Sequence, residues 1–563
     1  MGILSLLLFL PLLLLPVLWL LPQHKPRWAQ DLFLGLTLCQ LFIVALFILP
    51  AWVQHEGMHP VFHESMDWIR IRAGESGVYL IRYALDMDSL NGSMLLLTAL
   101  VYPCVALSSY SIHKHVRTYF ALMLMLNTCL YGCFLASDFF LFFLFFEAML
   151  LPMYFLIGRW GGEKREYAAL KFFIYTLTGS VFILIVMIAC FFTYFDVAET
   201  AKAAGMPLVQ ESASMAHHLR VLIEKGIISG SDVVHTFSFP NTNLRDAEGL
   251  ALNRMPGSIL DTGNIISGMD ARALAFLLLF IGFAVKLPAV PLHTWLPDAH
   301  VEAPTPVSVI LAAILLKIGG YGLLRIGFGY FPDGAATYGM LMAGIGIVSI
   351  IYAAWVAMAQ TDLKKMIAYS SISHMGYVLL GIGALNATGI NGAILQMFNH
   401  GIISAMLFLI AGVLYDRTHN RNITAYKGLW NIMPAYTFFV MLAFFASMGL
   451  PGLSAFVSEF LTLSGGFQSE SVSYIGMLFA VSGMVLTAVY FLRAFQKMFM
   501  GTYQTVGGKD WDELLKDLTF KEWTFLLIPA VFVVLLGIKP DLLLDLFAQD
   551  MAVWIEPVHY FIP

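Results

Sequence analysis

Charge is what this chain has least of. Of its 563 residues only 12% are Asp, Glu, Lys or Arg, while 59% are hydrophobic; soluble domains run at about 25% charged. That shortage excludes an ordinary soluble domain and points to a polytopic membrane protein. The net charge of −5 is spread over segments of both signs, which excludes a nucleic-acid partner. Cysteine is scarce as well. Cys39, Cys104, Cys129, Cys133 and Cys190 all fall in apolar segments. Cys129 and Cys133 share a helix face, but no other soft ligand accompanies them, so they read as small core residues and not as a metal or iron–sulfur site. No positive charge precedes the first apolar stretch, Ile3 to Leu21, whereas Lys25 and Arg27 follow it. That order is the reverse of a cleaved signal and predicts a first transmembrane helix with its N-terminus outside.

What the chain does have is long hydrophobic runs. Windows of roughly 20 apolar residues recur near 3–21, 29–50, 90–112, 118–136, 138–157, 167–194 and 271–292. Others follow near 303–327, 337–359, 365–384, 389–414, 433–465, 472–499 and 521–543. The expectation is an all-α fold of about fourteen transmembrane helices. Positive charge alternates with this count. Lys25/Arg27, Lys114/Arg117, Arg159/Lys164/Arg165, Lys364/Lys365, Arg417/Arg421/Lys427 and the set from Arg493 to Lys521 fall in alternate loops. By the positive-inside rule, both termini are expected on the outer, periplasmic side.

Two outer loops are long. Trp68 to Tyr83 alternates apolar and polar residues around Gly74-Glu75-Ser76-Gly77, which predicts a β-hairpin. The loop 196–270 mixes both charges with Gly, Ser and Asn and is expected to be a cap of helices and loops, or partly disordered. The His55-Glu56-Gly57-Met58-His59 stretch fits the zinc-protease spacing, but Gly57 and Pro60 argue against the stable helix that chemistry needs.

The stretch that organises the chain runs from Ile281 to Arg325, two apolar segments joined by a Pro- and His-rich turn. Each segment carries one lysine, Lys286 or Lys317, away from water. A charge at bilayer depth costs about 2.5–3.5 kcal/mol on insertion scales and by default marks an ion path. Pro288 and Pro291 follow Lys286 at once and predict a broken helix. A second break is predicted at Leu450-Pro451. Interrupted helices at matching places point to two inverted five-helix repeats, helices 4–8 and 9–13, with helices 7 and 12 broken. The domain division expected is 1–117 for helices 1–3 with the hairpin, 118–330 for the first repeat, 331–500 for the second, and 501–563 for the last helix and tail.

Other charged residues stand in apolar surroundings. Glu147 lies in FFLFFEAMLLPMYFLIG, and a buried carboxylate stays ionised only beside a cation; Lys286 is the natural candidate. Glu459 sits just past the second break and can take or release a proton at the far end of a path. His374 and His400 lie on adjacent apolar helices, readable as a bis-histidine haem or as a proton relay, and the neighbouring lysines and carboxylates favour the relay. His293, Asp298, His300 and Glu302 line the inner turn, either as an ordinary helix–helix turn or as a titratable intake funnel.

Taken together, FEAMLLPMYFLIGRWGG, FAVKLPAVPLHTWLPDAH, TDLKKMIAYSSISHMGYVLLGI, NHGIISAMLFLIAGVLYDR and GLPGLSAFVSEF closely resemble the antiporter-like M subunits of respiratory complex I, the counterparts of mitochondrial subunit 4. The resemblance implies proton pumping in a bacterial inner membrane, driven by NADH oxidation and quinone reduction elsewhere in the complex. It implies no cofactor in this chain, with FMN, iron–sulfur clusters and quinone in partner subunits and antiporter-like neighbours on both sides. Carried over by motif, Glu147 and Lys286 correspond to the family's coupled pair, Lys317 to its central lysine, Glu459 to its terminal carboxylate, and His374 and His400 to its central axis. The largest antiporter-like subunit adds a long lateral helix, where about twenty residues follow the last window in this chain. The D-type subunits of multi-subunit Na⁺/H⁺ antiporters and subunits of membrane-bound hydrogenases share the same core. A membrane anchor that carries no ions is the alternative from another class.

Overall fold

Backbone amides in hydrocarbon must find partners within their own chain, and the long apolar windows accordingly fold as helices. The computed structural model describes the chain except positions 1, 23, 56–59, 207–212, 240–244, 247–249, 267, 506–508 and 563. The protease-like stretch at 55–59 therefore lies, but for His55, outside the described residues.

Helix α1 (Ile3–Leu20) is followed by α2 (Pro26–Ile43), which runs through a π-helical turn into α3 (Leu49–Val53). Strands β1 (Phe62–Arg72) and β2 (Val78–Met87) come next. Then come α4 (Ser89–Ser108), α5 (Val116–Leu135), α6 (Phe139–Ala148), α7 (Leu150–Trp160) and α8 (Arg165–Thr193). The long loop supplies α9 (Val197–Ala203), α10 (Ala213–Glu224) and β3 (Val234–Thr236). The broken segment is α11 (Ala271–Lys286) and α12 (Trp295–Glu302); α13 (Thr305–Ile310) and α14 (Leu316–Gly322) then form one rod with two π-helical stretches, Leu311–Leu315 and Leu323–Phe328. Helices α15 (Pro332–Met358), α16 (Leu363–Gly383) and α17 (Ala387–Thr418) are long and continuous. The second break separates α18 (Pro434–Ser447) from α19 (Ser454–Gln468), and α20 (Tyr474–Phe499) follows. The chain closes with α21 (Lys509–Leu514), α22 (Phe520–Ile538), α23 (Asp541–Leu544) and α24 (Ala548–His559).

Among the described residues, 11 helical segments are long and apolar enough to cross a membrane. The other three expected windows differ for physical reasons. Window 271–292 stops as a 16-residue helix at Lys286, ahead of the prolines. Window 433–465 divides into helices of 14 and 15 residues. Window 365–384 is a continuous helix, but it begins with Lys364 and Lys365 and carries a run of serines. The apolar cores of Thr305–Phe328 and Ala387–Thr418 are buried, whereas α1, α20 and α22 turn most of their surface outward. The charged residues of interest thus sit on central helices wrapped by others.

The hairpin forms, longer than predicted: β1 and β2 pair antiparallel from Phe62–Met87 to Arg72–Val78, with a bulge between Asp67 and Ile69. Strand β3 adds to β2 in parallel. The loop 196–270 has its own small core, including Phe195, Val197, Leu219, Val233 and Leu252. Leu4 N donates to Glu64 of the hairpin at 2.7 Å, and α24 lines a cleft with His63 and Asp86. Both chain ends therefore lie on the hairpin face. Four cysteines are buried, but Cys39 is exposed on the outer side of α2.

Helices α15 and α16 touch along glycine. A Cβ on Gly346 would fall 2.7 Å from Gly376 O and from Leu380 N, both backbone atoms that cannot swing aside. Gly346→Ala is therefore expected to force the helices apart at a cost of about 1–3 kcal/mol, lowering the thermal midpoint in detergent. Gly344→Ala, which meets nothing within 4 Å, is the control and should leave the midpoint unchanged.

Candidate functional site

The centre of the bundle is Lys317 on α14, between the two π-helical stretches. A π-turn shifts the backbone ladder by one residue and frees a carbonyl from its usual partner, which is why such turns gather at functional sites. Ala312 O, in the first π stretch, accepts a hydrogen bond from Lys317 Nζ. The second partner of the ammonium is His400 Nδ1 on α17, at 2.8 Å.

From His400 the polar file continues. The rings of His400 and His374 lie 5.4 Å apart between centroids, and His374 Nδ1 on α16 is 3.1 Å from Glu459 Oε1 on α19. Gln396 reaches the same Nδ1 at 3.4 Å and is itself held by Ser458 Oγ at 2.5 Å. All four titratable residues are 0–3% exposed. Four helices thus line up a lysine, two histidines and a carboxylate, with Lys317–His400 and His374–Glu459 in close contact and a step between the two rings across which His374 Nε2 has no hydrogen-bond partner among the described residues. The haem reading fails on this geometry, because rings in near contact leave no room for a porphyrin between them. No cluster of three or more His, Cys, Asp or Glu able to hold a metal ion is found among the described residues.

Lys286 closes α11 where the prolines break it, and its Nζ has no hydrogen-bond partner among the described residues. It sits 4.5 Å from the centroid of the Phe146 ring and 6.0 Å from that of Phe172. Glu147 is half-buried on the helical face shared with the exposed Leu144 and Leu151. Its Oε1 also lacks a partner, although Ser180 lies beside the carboxylate. Lys286 thus stands against Phe146, the residue before Glu147, without a bond closing between the lysine and the carboxylate. The α14 rod lies directly against this break. A Cβ on Gly319 would fall 2.7 Å from Leu287 N, so only glycine lets the two backbones meet there.

The inner-turn residues separate into two pairs. Asp298 pairs with Lys171 at 2.7 Å and Glu302 accepts from Lys164 N at 2.9 Å; both line an open cleft of about 1190 Å³ on the face opposite the hairpin. His293 and His300 are buried. His300 stacks on Phe408 with centroids 4.3 Å apart, and neither ring nitrogen has a hydrogen-bond partner among the described residues.

Lys364 corrects the sequence reading. Assigned there to a charged loop, it lies in the first turn of α16, 1% exposed, with Nζ donating to Ala303 O at 3.2 Å. The signal was present in Asp362, whose side chain caps the helix by accepting from Lys365 N at 3.1 Å; a capping aspartate starts the helix ahead of the lysine pair.

The family model described as "NADH:quinone oxidoreductase/Mrp antiporter, TM" matches residues 136–227 and 255–487. A Rhodobacter capsulatus protein named NADH-quinone oxidoreductase subunit M is 39% identical over 520 residues, 92% of this chain and 89% of that protein. An NAD(P)H-quinone oxidoreductase chain 4 from Thermosynechococcus vestitus is 34% identical, covering 100% of this chain and 93% of its own length. Among solved structures, a chain of respiratory complex I from Thermus thermophilus superposes with a TM-score of 0.75 at 26% identity, over 99% of this chain and 100% of that one. A chain of the Mrp complex from Dietzia shares the fold, with a TM-score of 0.72 at 19% identity and 100% coverage of both chains.

Glu459→Gln keeps the shape and the hydrogen bond toward His374 and removes only titration. Proton movement through the assembled protein is expected to slow about 10- to 100-fold, within the range general acid–base groups contribute, with the amount of assembled protein unchanged. Glu459→Asp should restore part of it. Proton uptake by membrane vesicles, compared across the three forms, is the measurement.

Proposed function

The chain belongs to the NADH:quinone oxidoreductase/Mrp antiporter family as an M subunit of respiratory complex I, and from that premise we propose that it carries protons across the membrane through Lys317, His400, His374 and Glu459. The observation that supports this reading is a pair of close contacts, 2.8 Å from Lys317 to His400 and 3.1 Å from His374 to Glu459, brought together where the two imidazole rings lie 5.4 Å apart inside a polytopic membrane protein. A passive anchor has no use for four buried titratable groups, each expensive to hold in a dry interior. The file offers three nitrogen groups and one carboxylate. A hard cation such as Na⁺ takes oxygen ligands, so this donor set favours protons.

The cleft with Asp298 and Glu302 is the intake side in this reading, and the hairpin face is the outer, periplasmic side of a bacterial inner membrane, with both termini there. The work comes from partner subunits, which hold the FMN, iron–sulfur clusters and quinone. A charge rearrangement in a neighbouring subunit reaches Glu147 on its outward-facing helix. When that carboxylate's charge is weakened or drawn away, Lys286 keeps its desolvation cost and loses its compensation, so it gives up its proton. The proton passes toward Lys317, and the axis hands it through the histidines to Glu459.

Lys317 is the residue to test. Arginine keeps the positive charge but does not release its proton at accessible pH. Lys317→Arg and Lys317→Ala are both expected to assemble and to lose nearly all NADH-driven proton uptake in proteoliposomes. Undiminished uptake by the arginine form would contradict a deprotonating relay.

A further inference from the structure

One helical turn from Lys317, on the side of the hairpin face, the polar file meets a different kind of group. Tyr321 donates its hydroxyl to Phe134 O at 3.1 Å and accepts from Arg325 Nε at 3.2 Å. Arg325 Nη2 lies 2.6 Å from Asp88 Oδ1, and its guanidinium is packed between the rings of Tyr321 and Trp554, 5.5 and 5.6 Å from their centroids. Beyond it opens a cleft of about 870 Å³ on the hairpin face, lined by Asp88, Arg325 and Trp554 together with the acidic Asp86 and Asp550. Along this rod Tyr321 and Arg325 thus come between Lys317, one turn earlier with its Nζ turned back to Ala312 O, and a polar cleft.

That layer cannot relay a proton. The Tyr321 hydroxyl gives its hydrogen to a backbone carbonyl, which passes nothing on, and receives one from a guanidinium, which does not let go. Arg325 also sets at the neck of this mostly acidic cleft a cation that does not give up its proton, held there by Asp88. We propose that Arg325, held by Asp88 and Tyr321, is a fixed-charge plug that keeps protons in the hairpin-face cleft from reaching Lys317. The lysine then takes its proton from the Lys286 side and hands it to His400, and pumping does not run backwards through a short circuit. The plug rests on the reading of Lys317 as a proton carrier.

The test is passive proton flow into proteoliposomes holding the purified complex and a trapped pH dye, after an external acid pulse and without NADH. Wild type should be tight. Arg325→Gln is expected to admit protons faster by on the order of tenfold, the scale of one fixed charge at a focused neck. Asp88→Asn breaks the same ion pair but keeps the cation, and asparagine still caps α4, whose first amides Asp88 now accepts; it should stay tight. Equal leaks in the two variants would mean a packing role and overturn the plug, as would a tight Arg325→Gln complex. Should Arg325→Gln fail to assemble, the double variant Arg325→Gln/Asp88→Asn leaves no orphaned carboxylate and must leak if the plug is the cation. Lys317→Ala added to Arg325→Gln should stop the leak, and a leak that persists bypasses the axis and overturns the proposal. A tight Arg325→Gln complex beside a Lys317→Ala complex that cannot pump sinks the plug alone. Normal pumping by Lys317→Ala sinks the axis reading and the plug with it.

Discussion

A buried lysine without a carboxylate against it is the constraint on which the rest of this structure depends. Lys286, Lys317 and Lys364 are each 0–1% exposed, and none of the three forms an ion pair within 4 Å among the described residues. Phenylalanine rings surround Lys286, a histidine nitrogen and a carbonyl hold Lys317, and a carbonyl and the Tyr415 ring hold Lys364. These neighbours tolerate an ammonium without fixing it, so small changes of local charge decide whether the proton stays. Lys171 does pair with Asp298, at the open cleft, but the most deeply buried locked pairs among the described residues are made by arginine. Arg272 grips Asp333 with two bonds of 2.6 and 2.9 Å, and Arg325 and Arg82 each meet an aspartate at 2.6 Å. The division follows side-chain chemistry: arginine keeps its proton and suits a strut, lysine yields it and suits a relay.

The irregular backbone serves the same constraint. A straight α-helix has no spare carbonyl for a buried ammonium. The π-helical stretch before Lys317 supplies such a group in Ala312 O, whereas at the break after Lys286 Val285 O accepts from Trp295 Nε1 and leaves the lysine unbonded; Gly319 lets α14 press against that break. Continuous α15, α16 and α17 supply the rigid walls on which His374 and His400 are fixed. The helices most exposed to the surroundings, α1, α20 and α22, contribute nothing to the file.

Much of this was legible in the sequence because the informative residues were out of place there. A lysine ahead of two prolines in an apolar run announces both the charge and the break, and the Gly-Glu-Ser-Gly turn announces the hairpin. The length of the hairpin was not legible, since β1 carries exposed polar residues at most positions that resemble loop. Lys364 was missed because a charge next to another charge at a segment end looks like a loop. The pairing of Lys317 with His400, and of His374 with Glu459, could not be read at all. Helices α16 and α17 are apolar or small on every side, so periodicity picks no face, and the contact order is set by packing between distant segments. The sequence likewise suggested Glu147 and Lys286 as a pair but not the gap between them.

That gap is the centre of the account, because it makes Lys286 responsive to a charge it does not touch. NADH oxidation and proton uptake by complexes carrying Glu147→Ala, Lys286→Ala and both changes together test it most directly. If the two act as one electrostatic unit, each single change nearly abolishes coupled turnover and the double is little worse than either. Independent losses that multiply in the double variant would contradict it and leave two unrelated buried charges.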